Sequence, residues 1–444
     1  MMNLDWRHDR QDDINSAAGH APMDWFGLRP GCFDMAAACA ALAHLCPPGH
    51  PPVTARLLNV WYTPPQRLML VYALQSVQGA PVTVTVCIDD RAPAPCGASG
   101  AMTGTAVPEW QALAWRLPQD PGQLPLSLLL EPRYTASSLG VARVPTRPDV
   151  ISAPRPTMLS YLPGKRLALR VAAPDGGGQL VLKHQRGAAR SHAAMTSLWS
   201  HAGRRFDMAE PMGVDPANDV RWERFLPGQR IEATAARQGW EATLRRFLPS
   251  LVDLHGTPVA SLPVQHRAVV LDRLQGKVAR RVAAALSGHH ATLLALCERL
   301  SAWMPEPAVV HTTLHGDLHT GNLLVTASHG YAFIDLDSLA VGEPAYDLAL
   351  LGSRLLLLAV LGQADPVQVQ VLAAELGTWY EQAGGTAGSA QAYAWHLATL
   401  LPARQLKTCI RHAAPGLPAL ADTLLRLANR IVGLREVPAD LLVR

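Results

Sequence analysis

At 444 residues, with 49% hydrophobic and 17% charged side chains, the chain is long enough for two or three domains and too apolar to be disordered. Its formal net charge is only +4 and its arginines are spread without a block of like charge, so nothing points to nucleic acid. The 7 cysteines are an odd number, scattered and without a CxxC pair, which argues for buried thiols over a disulfide framework or a zinc site.

The N-terminus is charged and carries no apolar run, so no signal peptide is expected, and residues 1–20 read as a frayed polar segment. Residues 33–46 favour a helix, with Cys32, Cys39 and Cys46 repeating along one face and Pro47-Pro48 as the stop. Three runs rich in Val, Tyr and Thr follow as strands, Val53–Thr63, Arg67–Gln75 and Pro81–Ile88. Residues 90–108 read as loop, 109–140 are ambiguous, and 144–157, with four prolines, read as a linker.

A new pattern starts at 158. Met158–Leu162 and Arg166–Ala172 read as strands around Pro163-Gly164-Lys165, and a Gly-rich turn at 174–178 leads into a strand over Gln179–His184. A helix is expected over 187–202 and a strand over Val220–Phe225, closed by Leu226-Pro-Gly228. Helix then dominates, over 231–256, 264–286, 289–303, 345–362, 366–383, 389–401 and 416–434. The apolar run at Leu348–Leu361 is broken by Arg354, so it reads as a buried helix rather than a membrane span. These observations favour a soluble cytoplasmic protein. Tyr62–Ala73 and Tyr161–Ala172 also share several positions, consistent either with two hairpins using one turn chemistry or with a duplicated lobe.

The segment with the most chemistry is His315-Gly-Asp317-Leu-His319-Thr-Gly-Asn322, followed after a turn by Phe333-Ile-Asp335-Leu-Asp337 and then by Pro344-Ala-Tyr-Asp347. An Asp, an Asn five residues on and an Asp thirteen residues later suit phosphoryl transfer. One carboxylate orients the attacking hydroxyl, while an amide and a second carboxylate hold Mg²⁺ on nucleotide phosphates. Asp335 is expected on a strand face shared with Phe333. A competing use of His311, His315, Asp317 and His319 is a zinc site of a His/Asp metallohydrolase, but it leaves Asn322 and Asp335 without a role.

These motifs resemble the catalytic core of the aminoglycoside phosphotransferase and choline kinase family, which are small-molecule kinases with a protein-kinase-like fold. The resemblance covers roughly 158–434 and is sharp over 311–350. It implies an α+β, two-lobed architecture, with a small antiparallel-sheet lobe at 151–228 and a mostly helical lobe at 229–444. An extra small α+β N-terminal domain at 1–150, able to cap the acceptor site, brace the small lobe or recruit a protein partner, would precede them.

The resemblance further implies Asp317 as catalytic base with His315 as its buttress, and Asn322, Asp335 and Asp337 as Mg²⁺ ligands. ATP, or GTP, would be the donor and a small-molecule hydroxyl the acceptor, with neither nucleic acid nor membrane as partner. Lys183 falls in the third small-lobe strand, where a kinase keeps its phosphate-binding lysine. Trp222–Gly228 looks like the hinge that meets the nucleotide base, with Glu223 and Phe225 as the contacting residues. Asp347 would hydrogen-bond loop backbone, and His255 would be structural.

The sequence departs from the family pattern in one respect. The helix after Lys183 carries no acid to pair with it over 186–206, leaving Asp207, Glu210, His192, Thr196 or Ser197 as substitutes, or no pair at all. This motivates a second reading, a nucleotide-binding, pseudokinase-like regulatory or scaffold protein. Over 345–444 there are seven acids against eight bases, a balance that disfavours a polycationic acceptor. Arg404, Lys407 and Arg411 are expected on one helix face, suited to an anionic acceptor.

Overall fold

The computed structural model describes residues 5–6, 32–63, 67–77, 81–89, 104–122, 124–131, 134, 137–138, 156–173, 178–201, 205–306, 312–327 and 330–442. Most of the expected frayed start, most of the 144–157 linker, the core of the Gly-rich turn and His311 lie outside them, whereas Asp5–Trp6 within that start is a short strand. The chain forms two compact units. The first comprises Met1–Ala189, Pro211–Phe225 and Arg411–Pro415, and the second Arg190–Glu210, Leu226–Ile410 and Gly416–Arg444.

The first unit holds two sheets. In the five-stranded one the order is Pro52–Thr63, Arg67–Ser76, Val82–Asp89, Ala112–Arg116, Thr105–Val107, antiparallel throughout. Helix Met35–Leu42, capped by the Asp34 carboxylate on the backbone N–H groups of Ala36 and Ala37, packs on it. The six-stranded sheet runs Asp5–Trp6, Thr157–Leu162, Arg166–Ala172, Gln179–Gln185, Val220–Arg224, Pro211–Asp215. The two similar sequence stretches are both antiparallel hairpins in equivalent register, with Thr63 opposite Arg67 and Leu162 opposite Arg166.

One local expectation is corrected here, and two stretches left open are filled. Thr105–Val107 is a strand inside the stretch read as loop, too short to display an alternation. The ambiguous 109–140 region contains strand Ala112–Arg116 and a single helical turn, Leu126–Leu129. Strand Pro211–Asp215 was not anticipated, because its partly buried residues lack a clear apolar period.

The period-2 pattern sends Leu167, Leu169, Val171, Leu180, Leu182, Val220 and Trp222 to one face of the six-stranded sheet. There they share a core with Leu58 and Val71 of the five-stranded sheet and with Leu126, Leu129, Leu130 and Tyr134. The N-terminal segment and the small sheet are therefore buried against each other. A second tie is polar. The buried Asp120 carboxylate accepts the Tyr161 hydroxyl at 2.6 Å and the backbone N–H groups of Gly122 at 2.7 Å and Gly164 at 2.9 Å. The two glycines are in close backbone approach: a Cβ on Gly122 would lie 2.2 Å from the Gly164 Cα. The turn at 163–165 is thus held by a carboxylate more than 40 residues earlier in the chain.

The second unit is mostly helical, with small sheets that carry the motif loops. Strands Leu323–Val325 and Tyr331–Phe333 pair as a hairpin, flanked by Gln229–Arg230 and Asp207–Met208, and Thr312–Leu314 pairs with Ala340–Gly342. Phe206, Phe247, Tyr331 and Phe333 stack edge-to-face beneath the hairpin, with centroids 5.3 to 5.7 Å apart.

The helix expected over 231–256 is two helices, Ile231–Gln238 and Trp240–Gly256, broken at Gly239 with φ +84°. That over 264–286 contains a π-helical turn at Leu274–Val278, and a second π turn, Leu401–Leu406, extends the helix expected to end at 401. Helix Pro344–Val360 is buried on nearly every side, which accounts for its apolar run. Among the described residues no helix is long and apolar enough to cross a membrane.

Candidate functional site

The loop from His315 to Asn322 lies in the second unit, between strand Thr312–Leu314 and the hairpin that leads to Asp335. Gly316 has φ +75°, and a Cβ there would sit 2.0 Å from the Ser338 carbonyl oxygen, so the chain can pass only as glycine. The loop is stitched by its own motif residues. Asn322 donates its Nδ2 to the Asp317 carbonyl at 3.0 Å, and its own carbonyl accepts the Ile334 N–H at 3.0 Å. His315 donates Nε2–H to the Ile334 carbonyl at 3.1 Å, while its Nδ1 accepts the Asp317 N–H at 3.4 Å. Asp317, Asn322 and the backbone just before Asp335 form one hydrogen-bonded assembly.

His315 is fully buried, and burial lowers its pKa despite the nearby carboxylates of Asp347 and Asp335. With both ring nitrogens engaged it has no lone pair for a metal, which removes one of the four ligands of the zinc reading.

A third tier holds the loop from below. The fully buried Asp347 accepts the backbone N–H of His315 at 2.7 Å and that of Gly316 at 3.0 Å. His255 Nε2 donates to the same carboxylate at 3.2 Å, and the Tyr380 hydroxyl donates to His255 Nδ1 at 2.7 Å. Burial raises the Tyr380 pKa, so the phenol remains the proton donor. Asp347 and His255 thus hold the loop, which is the part the family resemblance implied for them.

Asp335 is not on the strand where it was expected. The strand ends at Phe333, and Asp335 takes a left-handed conformation, φ 62° and ψ 45°, that starts a short turn over Leu336–Ser338 containing Asp337. Asp tolerates this backbone better than most residues. The departure turns the chain immediately after the Ile334 contacts, which the strand periodicity could not reveal.

Lys183, Glu223 and Phe225 lie in the first unit. Lys183 Nζ lies 2.9 Å from Glu223 Oε1, and Arg221 Nη1 lies 2.7 Å from Glu223 Oε2, all three side chains being almost wholly buried. Burial pushes the Glu223 pKa up, but the charges of Lys183 and then Arg221 outweigh it and leave the carboxyl below its ordinary value.

The acid for Lys183 therefore comes from the neighbouring strand and not from the following helix. In that antiparallel pair Lys183 faces Arg221 and Val181 faces Glu223, so residues 183 and 223 are diagonal neighbours on one sheet face, within reach for long side chains. Of the substitutes considered, Thr196 bonds its own helix at the His192 carbonyl, and Asp207 accepts from the Thr326 hydroxyl. Phe225 follows the strand, its N–H bonded to the Gln179 carbonyl and its ring 5.4 Å from the Arg170 guanidinium. Lys165, in the preceding turn, sits 5.3 Å over the Trp61 ring.

The basic trio at the C-terminal end separates. Arg404, on the π turn, forms an ion pair with the Asp317 carboxylate, whereas Arg411 stacks on Trp61 at 4.3 Å in the first unit. The π turn shifts the helical phase, so the i, i+3, i+7 spacing no longer defines one face.

Among the described residues no group of three or more His, Cys, Asp and Glu side chains is placed to hold a metal ion by itself. A hard cation takes oxygen donors, which is the chemistry of the Asp335 and Asp337 carboxylates and of the Asn322 amide oxygen, the Asn322 amide nitrogen being bonded to the Asp317 carbonyl.

The sequence profile of the phosphotransferase enzyme family, APH, matches residues 159–381, about half of the chain, and the chain belongs to this family. Solved structures similar to it include a choline/ethanolamine kinase family protein from Mesorhizobium loti (17% identity, 69% of this chain and 99% of that one, TM-score 0.43). Others are aminoglycoside phosphotransferase APH(4)-Ia (13%, 64% and 94%, TM-score 0.47) and amicoumacin kinase hAmiN in complex with AMP-PNP, Ca²⁺ and Ami (12%, 70% and 96%, TM-score 0.47). Curated proteins gave no match.

Proposed function

We propose that this phosphotransferase is a small-molecule kinase that moves the γ-phosphoryl group of ATP to a hydroxyl of its acceptor. The observation that carries the reading is the hydrogen-bonded assembly of Asp317, Asn322 and the Ile334–Asp335 backbone, clamped by Asp347. A carboxylate carried on a fixed backbone beside a fixed amide is what in-line phosphoryl transfer asks of a protein, since the catalysis is mostly positioning and charge stabilisation.

Asp317 accepts the hydrogen bond of the acceptor hydroxyl. As the new O–P bond forms and the bond between the β,γ-bridging oxygen and the γ-phosphorus breaks, it takes the proton, and ADP leaves. Asn322, Asp335 and Asp337 would hold Mg²⁺, which when bound neutralises charge on the nucleotide phosphates. Lys183 supplies a fixed positive charge for the nucleotide phosphates, and Glu223, itself anchored by Arg221, holds its ammonium in place. The backbone around Glu223 and Phe225 meets the nucleotide base.

Segments 151–228 and 229–444 act as the nucleotide and catalytic lobes, and 1–150 braces the former through the shared core and the Asp120 clamp. The pseudokinase reading was motivated by a missing partner for Lys183, and Glu223 supplies that partner. Six described free cysteines fit a cytoplasmic setting.

The test is transfer of labelled phosphate from ATP, and separately from GTP, across a panel of hydroxyl compounds. Loss of a positioned general base costs about 10²–10⁴-fold, so Asp317→Asn should lose at least that much transfer while its nucleotide affinity stays within about threefold. Undiminished transfer by Asp317→Asn would overturn the assignment.

A further inference from the structure

Resting on that reading, we propose that the acceptor carries an anionic group, a phosphate or carboxylate, and that Arg404 is the residue that recognises it. The observation is the partner of the proposed base. The Asp317 carboxylate, which must be open to an incoming hydroxyl, is held by the Arg404 guanidinium, and each side chain keeps about a third of its surface exposed, 32% and 31%. A guanidinium therefore stands where the acceptor has to arrive.

A second positive charge is close by. The Leu401–Leu406 turn packs against the Leu274–Val278 turn, which follows directly on Arg273. Burial, with the neighbouring Arg273 guanidinium, brings the Arg404 pKa down to about 10, so the residue is still charged at neutral pH.

The acids from the same part of the chain are largely committed elsewhere. Asp347 holds loop backbone, Asp365 caps its helix at Val367, Asp422 pairs with His289 and Asp440 with Arg430. Just before them, Glu343 pairs with Arg267 and His396.

Three classes of acceptor then fare differently. A cationic one meets Arg404 and Arg273 with like charge and finds Asp317 already neutralised. A neutral one has to separate the Arg404–Asp317 pair and offers nothing in exchange. An anionic one draws the bidentate guanidinium to itself, and the same movement frees the Asp317 carboxylate for the hydroxyl. Recognition and activation of the base are one exchange of partners.

The experiment saturates the protein with AMP-PNP and Mg²⁺, so that the nucleotide phosphates occupy their own site. It then titrates inorganic phosphate, and tetramethylammonium chloride as the cationic control, with calorimetry as the readout. Phosphate should bind the wild-type complex and not the control cation. Arg404→Gln should weaken phosphate binding at least tenfold, and Arg404→Lys, which keeps the charge and loses the fork, should recover part of it.

No phosphate binding, or equal binding by wild type and Arg404→Gln, would overturn the proposal. Thermal denaturation of Arg404→Gln with AMP-PNP checks that the variant is folded, and Arg273→Gln, which removes the neighbouring charge and keeps Arg404 itself, gives an independent partial loss. Failure of the underlying kinase reading is seen separately, as a wild-type protein that does not bind AMP-PNP in a Mg²⁺-dependent manner.

Discussion

The Lys183–Glu223–Arg221 cluster is where single side chains decide most. Two cations share one carboxylate, and all three are removed from water. A buried cluster of this kind tolerates removal of a partner poorly, because the remaining charges have no solvent to turn to. Glu223→Gln should cost about 3–5 kcal/mol in a urea melt, with an unchanged m-value if the fold is kept. A loss under about 1 kcal/mol would mean that the pair is solvated and does not hold Lys183. Asp347→Asn is a second residue-scale case. The amide has one acceptor oxygen for two backbone N–H groups and His255, so about 1–3 kcal/mol should be lost, read by the same melt. The two residues differ in legibility. Asp347 could be named from the sequence because the family resemblance implies its role, although its contacts reach loop backbone more than 30 residues earlier. The partnership of Glu223 could not, because it depends on strand register across 40 residues and a search along the next helix looks in the wrong direction.

At the scale of elements, strong periodicity made most strands and long helices of both units readable to within a few residues, and the deviations have specific causes. Gly239 breaks one helix, the π turns at Leu274–Val278 and Leu401–Leu406 follow no pattern visible in apolar spacing, and the Thr105–Val107 and Pro211–Asp215 strands are too short or too mixed to alternate. The loop from His315 to Asn322 was legible as a motif, but its shape is set by contacts that a motif does not record, above all Gly316 against the Ser338 carbonyl. Gly316→Ala combines a positive φ with a 2.0 Å clash on backbone. It should cost about 1–3 kcal/mol for the conformation alone, and transfer activity should fall further than Tm, since the clash displaces the loop itself. Full activity in this variant, measured by phosphate transfer, would contradict the described loop geometry.

For the whole molecule, the shared core of the N-terminal segment and the small sheet makes residues 1–150 part of the folding unit. A chain starting at 151 would expose the faces of Leu167, Leu169, Leu180 and Trp222, and it should be insoluble or lose its cooperative melt. A soluble, cooperatively folding remainder would instead favour a capping role. Stability should also fall in acid. His412, held by the Val60 carbonyl, has its pKa lowered to about 4, first by burial and then by Arg411, with Arg166 also near, and burial lowers that of His396. The unfolded chain takes up these protons first, so the stabilisation is complete above about pH 6.5 and is lost as pH falls from there toward 4. Below about 4.5 the Glu343 carboxyl, held down to about 2, adds a further loss as its pairing with His396 and Arg267 is titrated away. Calorimetric Tm should be flat near pH 7 and decline below 6.5, with His412→Gln showing a shallower decline. The measurement that bears most directly on the central claim is a thermal-shift titration of wild type and Asp335→Ala with ATP, GTP and ADP, each with and without Mg²⁺. A ligand at a hundred times its Kd stabilises by about 2.7 kcal/mol, so the account predicts a clear Mg²⁺-dependent rise with ATP that Asp335→Ala abolishes. No shift with any nucleotide, or a shift that Asp335→Ala leaves intact, would contradict it.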